Sequence, residues 1–244
     1  EGDINIGTGT GTVIEAPLSK PRPDPRGLID CCCHVVPKTW EYEVIINATG
    51  GSLRWFRDNF GHEEVSRSRE EGTSPYAIFD QMASNVPVGS NGLFYYPYLW
   101  GARAPKFDPL ARSAFIGFTH AHGKPAFLRS ILEGVAFQYI ETLDVVRDLG
   151  VQIKRITMTG GEAKSCLWTQ IKADVLGVSI EVPEVLDAAA LGACILAAMG
   201  VRAYRDFDSA VRKMVRVSRI YHPRPETHEK YVKLYEAYQE VYNR

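Results

Sequence analysis

The sequence lacks any apolar run approaching the ~18–20 residues that a membrane-spanning helix needs, so no membrane partner is expected. An excess of one charge is equally absent. Lys and Arg number 28 against 29 Asp and Glu, for a formal net charge of −1. No basic stripe marks a nucleic-acid surface and no long acidic tail appears, which excludes a nucleic-acid partner from the expectations. Glu1-Gly2-Asp3-Ile4-Asn5 has neither the charged start nor the apolar core of a secretory signal. It runs straight into a strand-like pattern, as a cut inside a longer protein would.

Cysteine is sparse and badly placed for a clip. There are five, and Cys31, Cys32 and Cys33 are adjacent. Neighbours on a strand point to opposite faces, so the triplet cannot form a Cys-x-x-Cys zinc site, and His34 beside it has no second ligand cluster to join. Buried free thiols in a reducing cytosol are expected, and hence a cytoplasmic protein.

What the sequence does have is a core. With 244 residues and 45% apolar side chains it can fill one large domain or two small ones. Ile4, Ile6, Val13 and Ile14 predict a hairpin of short strands around Gly7-Thr8-Gly9-Thr10-Gly11-Thr12. Strands are predicted near 27–36 and 42–48, then a helix opening at Gly50-Gly51 through Ser52-Leu53-Arg54-Trp55-Phe56. Residues 61–75 read as a surface loop or frayed helix, and 75–84 as a helix. An aromatic-rich loop follows at 93–100. Helical spacing of Phe127, Ile131, Leu132, Val135, Tyr139, Leu143 and Val146 predicts a helix over 125–149, stopped by Gly150. A strand at 153–158, a turn at Thr159-Gly160-Gly161, a helix at 163–176, a short strand at 180–182 and a small-residue helix at 188–199 follow. Tyr231, Leu234, Tyr235, Tyr238, Val241 and Tyr242 form one stripe of a last helix over 225–242. A helix packed on its own domain explains that stripe better than an oligomer contact. Strands first, then strands alternating with helices, predict an α/β domain with helices packed on its sheet.

Three glycine-centred turns could carry chemistry. Gly7-Thr8-Gly9-Thr10-Gly11-Thr12 offers close backbone approach, exposed N–H groups and hydroxyl donors to a phosphate, although a flexible hairpin tip explains it equally well. Its Gly-x-Gly-x-Gly spacing and the Pro-rich segment after it exclude a dinucleotide fingerprint. Thr159-Gly160-Gly161-Glu162-Ala163-Lys164-Ser165 sits between a strand and a helix, where unpaired N–H groups favour an anion. It is not a P-loop, which needs Gly directly before its Lys. Ala48-Thr49-Gly50-Gly51-Ser52-Leu53-Arg54 places glycines at a helix start, with Ser52 as a helix cap the plain alternative. His120 and His122 read as solvent-exposed, and Asp108 and Glu133 as isolated carboxylates.

Taken in order, these pieces resemble the C-terminal domain of the FGGY carbohydrate kinases. The resemblance is carried by Thr159 to Ser165, Trp168-Thr-Gln-Ile-Lys-Ala-Asp-Val-Leu-Gly177, Val182-Pro-Glu184 and Ala188-Ala-Ala-Leu-Gly-Ala-Cys-Ile-Leu-Ala197. Pro97-Tyr-Leu-Trp-Gly-Ala-Arg-Ala-Pro105 and Arg129-Ser-Ile-Leu-Glu-Gly-Val-Ala-Phe137 add to it, with departures at Phe118 and Ala126. Cys33-His34-Val35-Val36-Pro37 with Trp40 is most similar to xylulose kinases; glycerol or gluconate kinases differ more there.

The resemblance implies an actin-like ATPase (ribonuclease H-like) fold, a mixed sheet with helices on both faces. It implies that residues 1–244 are one domain, the nucleotide-binding C-terminal half of a two-domain sugar or polyol kinase using ATP and Mg²⁺. Thr8, Gly9 and Thr10 would face the β- and γ-phosphates, Gly50 and Arg54 would line the nucleotide, and Gly161 and Ser165 would meet adenosine and its phosphates. The sugar hydroxyl's base would be an Asp in the N-terminal half. Asp3 belongs to the first strand by spacing and is not that base. A chain without that half is expected not to phosphorylate sugar, and its bare cleft could drive a homodimer. The alternatives are a non-catalytic actin-like nucleotide-binding module, or a kinase for another polyol such as glycerol or gluconate.

Overall fold

The computed structural model describes residues 1–243. Strands β1 (Asp3–Thr8) and β2 (Thr12–Leu18) form the predicted hairpin, and β3 (Asp30–Cys33) and β4 (Trp40–Ile46) extend it antiparallel. On the other side of β1 lie β7 (Arg155–Gly160) and β8 (Ile180–Pro183), both parallel to their neighbours, and then β9 (Val217–Tyr221), antiparallel. The mixed sheet therefore runs β3-β4-β2-β1-β7-β8-β9. What the sequence reads as an aromatic loop contains a short strand, β5 (Phe94–Tyr96), which pairs separately with β6 (Ala114–Ile116).

The period of two along β1 and β2 decides which face is covered. Ile4, Ile6, Ile14 and Ala16 are buried, while the alternate residues Asn5, Gly7, Val13 and Glu15 are half-buried on the opposite face. Over the buried face lies α4 (Lys124–Asp148), whose 25 residues are mostly sequestered from solvent, with α5 (Cys166–Leu176) beside it. Helices α1 (Thr49–Phe60), α2 (His62–Glu70) and α3 (Pro75–Ser84) close one end. On the opposite face, α6 (Ala188–Gly200) begins beside Asn5 and Glu15, and α7 (Phe207–Met214) packs on it. The last helix, α8 (Pro225–Tyr242), puts Tyr231 and Tyr238 into the core. Tyr238 stacks on Tyr96 at 4.3 Å and meets Phe137 at 5.0 Å. No helix among the described residues is long and apolar enough to cross a membrane.

Several sequence expectations are corrected. The five cysteines are free, but Cys32, Cys33, Cys166 and Cys194 are exposed and Cys31 is half-buried. The triplet lies on β3, an edge strand of the sheet, so neither of its faces is deeply covered. Ser52 does not cap α1. The cap is Ala48, in the left-handed region at φ 57, and the Ser52 hydroxyl, buried in the first turn, donates back to the Ala48 carbonyl. The helix predicted from Ala163 is split: Glu162–Lys164 form a short 3₁₀ turn, and α5 starts after Ser165, whose Oγ accepts the Trp168 N–H. Glu133 is not isolated. Its carboxylate accepts from Arg129, Ser90, Tyr231 and the Gly89 amide inside the core.

Candidate functional site

The C-terminal ends of parallel neighbours β1 and β7 come together with Thr8 opposite Gly160, which brings the first two glycine turns into contact. The Thr8 hydroxyl donates to the Thr159 carbonyl and accepts the Glu162 N–H at 3.1 Å, while the Gly161 N–H donates to the Thr8 carbonyl. Thr8 is therefore a buried latch between the turns, its hydroxyl proton already engaged. Gly160 has φ +82, and a Cβ there would lie 1.9 Å from the Thr8 carbonyl oxygen, so both its conformation and its neighbour require glycine.

The third turn joins through the hairpin tip. The Gly51 N–H donates to the Thr10 carbonyl, and Arg54 Nη2 donates to Thr10 Oγ1 at 2.9 Å. A Cβ on Gly50 would stand 2.2 Å from the Gly9 carbonyl oxygen, which measures how closely α1 approaches the tip. Under this junction runs a buried polar chain. Thr12 Oγ1 meets Thr49 Oγ1 at 2.8 Å and the Tyr139 hydroxyl at 2.9 Å; Tyr139 donates to Glu162, and Lys172 donates to the same Glu162 oxygen. Burial pulls the Lys172 pKa down, with the Glu162 carboxylate opposing. Burial likewise pushes the Tyr139 phenol well above its ordinary value, reinforced by Glu162.

The three turns enclose a cleft of about 520 Å³, a size suited to a small organic ligand. Gly9, Thr10, Gly50, Arg54, Gly161 and Ser165 all line it. Thr8 does not. It lines an adjoining cleft of about 610 Å³ on the other side of the Gly160–Lys164 turn, and Gly161 and Lys164 border both spaces. Asp3 stays at the start of β1, paired with Arg155, whose guanidinium holds its carboxyl below the usual range. His120 is exposed on a loop as expected, whereas His122 is half-buried, its Nδ1 accepting the Thr119 N–H.

Sequence reasoning missed Leu53, Tyr76, Asp80 and Trp168 in the cleft wall, and it discounted Lys164. Tyr76 and Asp80 are one turn apart on α3, whose start carries a readable signal: Ser74 caps it and Pro75 opens it. Nothing in the sequence places that helix against Ser165.

The sequence model of the C-terminal domain of the FGGY family of carbohydrate kinases matches residues 3–201. The chain belongs to this family. Gluconokinase of Bacillus subtilis (strain 168) is 35% identical over 88% of this chain and 42% of the relative. A xylulose kinase of Staphylococcus epidermidis is 32% identical over 86% of this chain and 40% of the relative. The solved structure of ligand-bound xylulose kinase from Lactobacillus acidophilus superposes with TM-score 0.85 at 26% identity, covering 99% of this chain and 47% of that one. The chain thus has the actin-like fold that the resemblance implies, and it spans less than half the length of these relatives.

Proposed function

We propose that residues 1–244 are one domain, the nucleotide-binding C-terminal half of a kinase that phosphorylates a sugar or polyol of the xylulose type with ATP and Mg²⁺. The observation that carries this reading is the convergence of three glycine turns, far apart in sequence, on a single cleft. Their fit to a polyphosphate is tested by the space at Gly161. A Cβ there meets nothing within 4 Å, so the absent side chain leaves room on the cleft side for a ligand and not for a packing neighbour. Gly9, Thr10, Gly50, Gly161 and Ser165 would hold the nucleotide, with Arg54 and Lys164 as nearby cations and Thr8 holding the two turns in register.

Among the described residues no group of three His, Cys, Asp or Glu is placed to hold a metal. Mg²⁺ would accordingly be held chiefly by the phosphates and water. Bound ATP would supply the phosphoryl group, and this chain's part is positioning and charge stabilisation, the two main sources of catalysis in phosphoryl transfer. The sugar and the base that takes its hydroxyl proton would belong to an N-terminal half of the parent protein. Support for such a partner comes from α6, which is apolar along its whole length yet exposes Ala189, Ala190, Ala193, Leu196 and Ala197. Without that half, the same face favours self-association into a homodimer. The metabolic role of the relatives and the free thiols support a cytoplasmic location.

Calorimetric titration of this chain with Mg-ADP, beside a Gly161→Val variant, tests the reading. Binding by the wild type that the variant loses is expected. Equal binding by both would remove the second glycine turn from the site.

A further inference from the structure

The motifs account for the turns but not for the acidic side chain that α3 contributes to the same cleft. Asp80 and Tyr76 lie one turn apart on one face of α3, and both line the cleft, while Ile78, Phe79 and Ala83 hold the rest of the helix in the core. The cationic and backbone donors of the cleft come from elsewhere: Thr10 on the hairpin, Arg54 on α1 and Lys164 on the second turn. A carboxylate repels phosphate oxygens. The wall formed by Asp80, Tyr76, Ala77 and Leu53 is therefore suited to the uncharged part of a nucleotide, with apolar surface for a flat ring and one acceptor at its edge.

Asp80 lines the cleft together with Ser165. Ser165 Oγ accepts the Trp168 N–H as the cap of α5, and its hydroxyl favours the charged form of the Asp80 carboxyl. A carboxylate has two oxygens, so one remains to accept a hydrogen bond from a ligand. Burial raises the Asp80 pKa, with Ser165 and then Lys172 opposing, in keeping with a carboxyl partly withdrawn from water.

We propose that the Asp80 carboxylate accepts a hydrogen bond from the exocyclic amino group of a purine base, and so selects an aminopurine nucleotide over one whose ring carries no amino group. The proposal rests on the nucleotide reading above and adds to it the residue that reads the base. Asp80 acts here as a specificity determinant and takes no part in the chemical step.

The test uses the whole chain and two probes, Mg-ADP and the Mg complex of purine riboside 5′-diphosphate, which has the same ring without the amino group. A charge-assisted hydrogen bond predicts that the wild type prefers ADP by about tenfold or more. Asp80→Ala brings the ratio of the two dissociation constants to about one. Asp80→Asn, whose amide oxygen still accepts, keeps part of the preference. A merely structural role would weaken both ligands alike and leave the ratio unchanged, so an unchanged ratio in Asp80→Ala overturns the proposal. Equal binding of both probes by the wild type also overturns it. Failure of the wild type to bind either probe is a different failure, that of the nucleotide reading itself.

Discussion

Lys172 Nζ stands 2.5 Å from Glu162 Oε2, with both side chains shut off from solvent. The pair joins α5 to the second glycine turn, and through Tyr139 it reaches Thr12 and Thr49 beneath the other two. Glu162 Oε1, buried without a hydrogen-bond partner, lies where a Cβ on Gly50 would come within 3.4 Å of it. A buried pair of this kind is costly to break and cheap to replace whole. Lys172→Met alone is expected to destabilise the domain by about 3–5 kcal/mol, since it strands a buried carboxylate. Adding Glu162→Gln should recover much of that loss. Urea unfolding of both variants decides it, and strictly additive losses would mean that the two residues are not coupled.

The glycines of the cleft should separate into two classes. Gly50→Ala puts a methyl 2.2 Å from the Gly9 carbonyl oxygen, so the hairpin tip must move and both stability and ligand binding should fall. Gly161 has an ordinary φ of −67 and open space beside it, so Gly161→Val should leave the melting temperature within a few degrees while abolishing binding. Thermal melts paired with Mg-ADP titration check the contrast. A large drop in melting temperature for Gly161→Val would count against the assigned geometry.

Ser165 has a double task, capping α5 and facing Asp80. Ser165→Ala should cost about 1 kcal/mol from the lost cap. Ser165→Asp restores a cap acceptor but sets a second carboxyl beside Asp80, so stability should recover while Mg-ADP binding does not. Recovery of both would show that only the cap matters.

Acid should act on α7 through Asp206. That carboxylate accepts from the Ser209 amide and from Arg205, which hold its pKa at about 2, below the ordinary 3.8. Because the folded value is the lower one, the stabilisation is complete above the unfolded value and is lost as pH falls from the ordinary value toward about 2. Asp206→Ala should lower the melting temperature at neutral pH, with the difference closing near pH 2. A gap that persists there would assign the effect to packing.

The parts that could be read in advance are those where one local rule decides. The alternation of β1 and β2, the helical spacing of α4 and α8, and the glycine spacing of the turns each leave a pattern within a few residues. Helix α7 also has a local signal in its sequence, since Asp206 and Ser209 form a reciprocal capping box. Strand β9 left little, because Val217–Tyr221 is largely exposed at the sheet edge and shows no buried alternation. The cleft wall was hidden for a different reason. Asp80 meets Ser165 only because α3 and α5 pack together, and sequence periodicity carries no information about which helices become neighbours.

The seam between β1 and β7 also sets when the cleft can exist. Thr8 and Thr159 are 151 positions apart, yet the hydrogen bond between them joins the hairpin to the second glycine turn, which borders the cleft. A chain emerging during synthesis would display the hairpin and α1 long before the residues that complete the pocket, and closing so long a loop is a slow, late event. Any ligand of this cleft can recognise only the finished sheet. It would stabilise the end state by mass action while leaving every earlier stage of folding untouched.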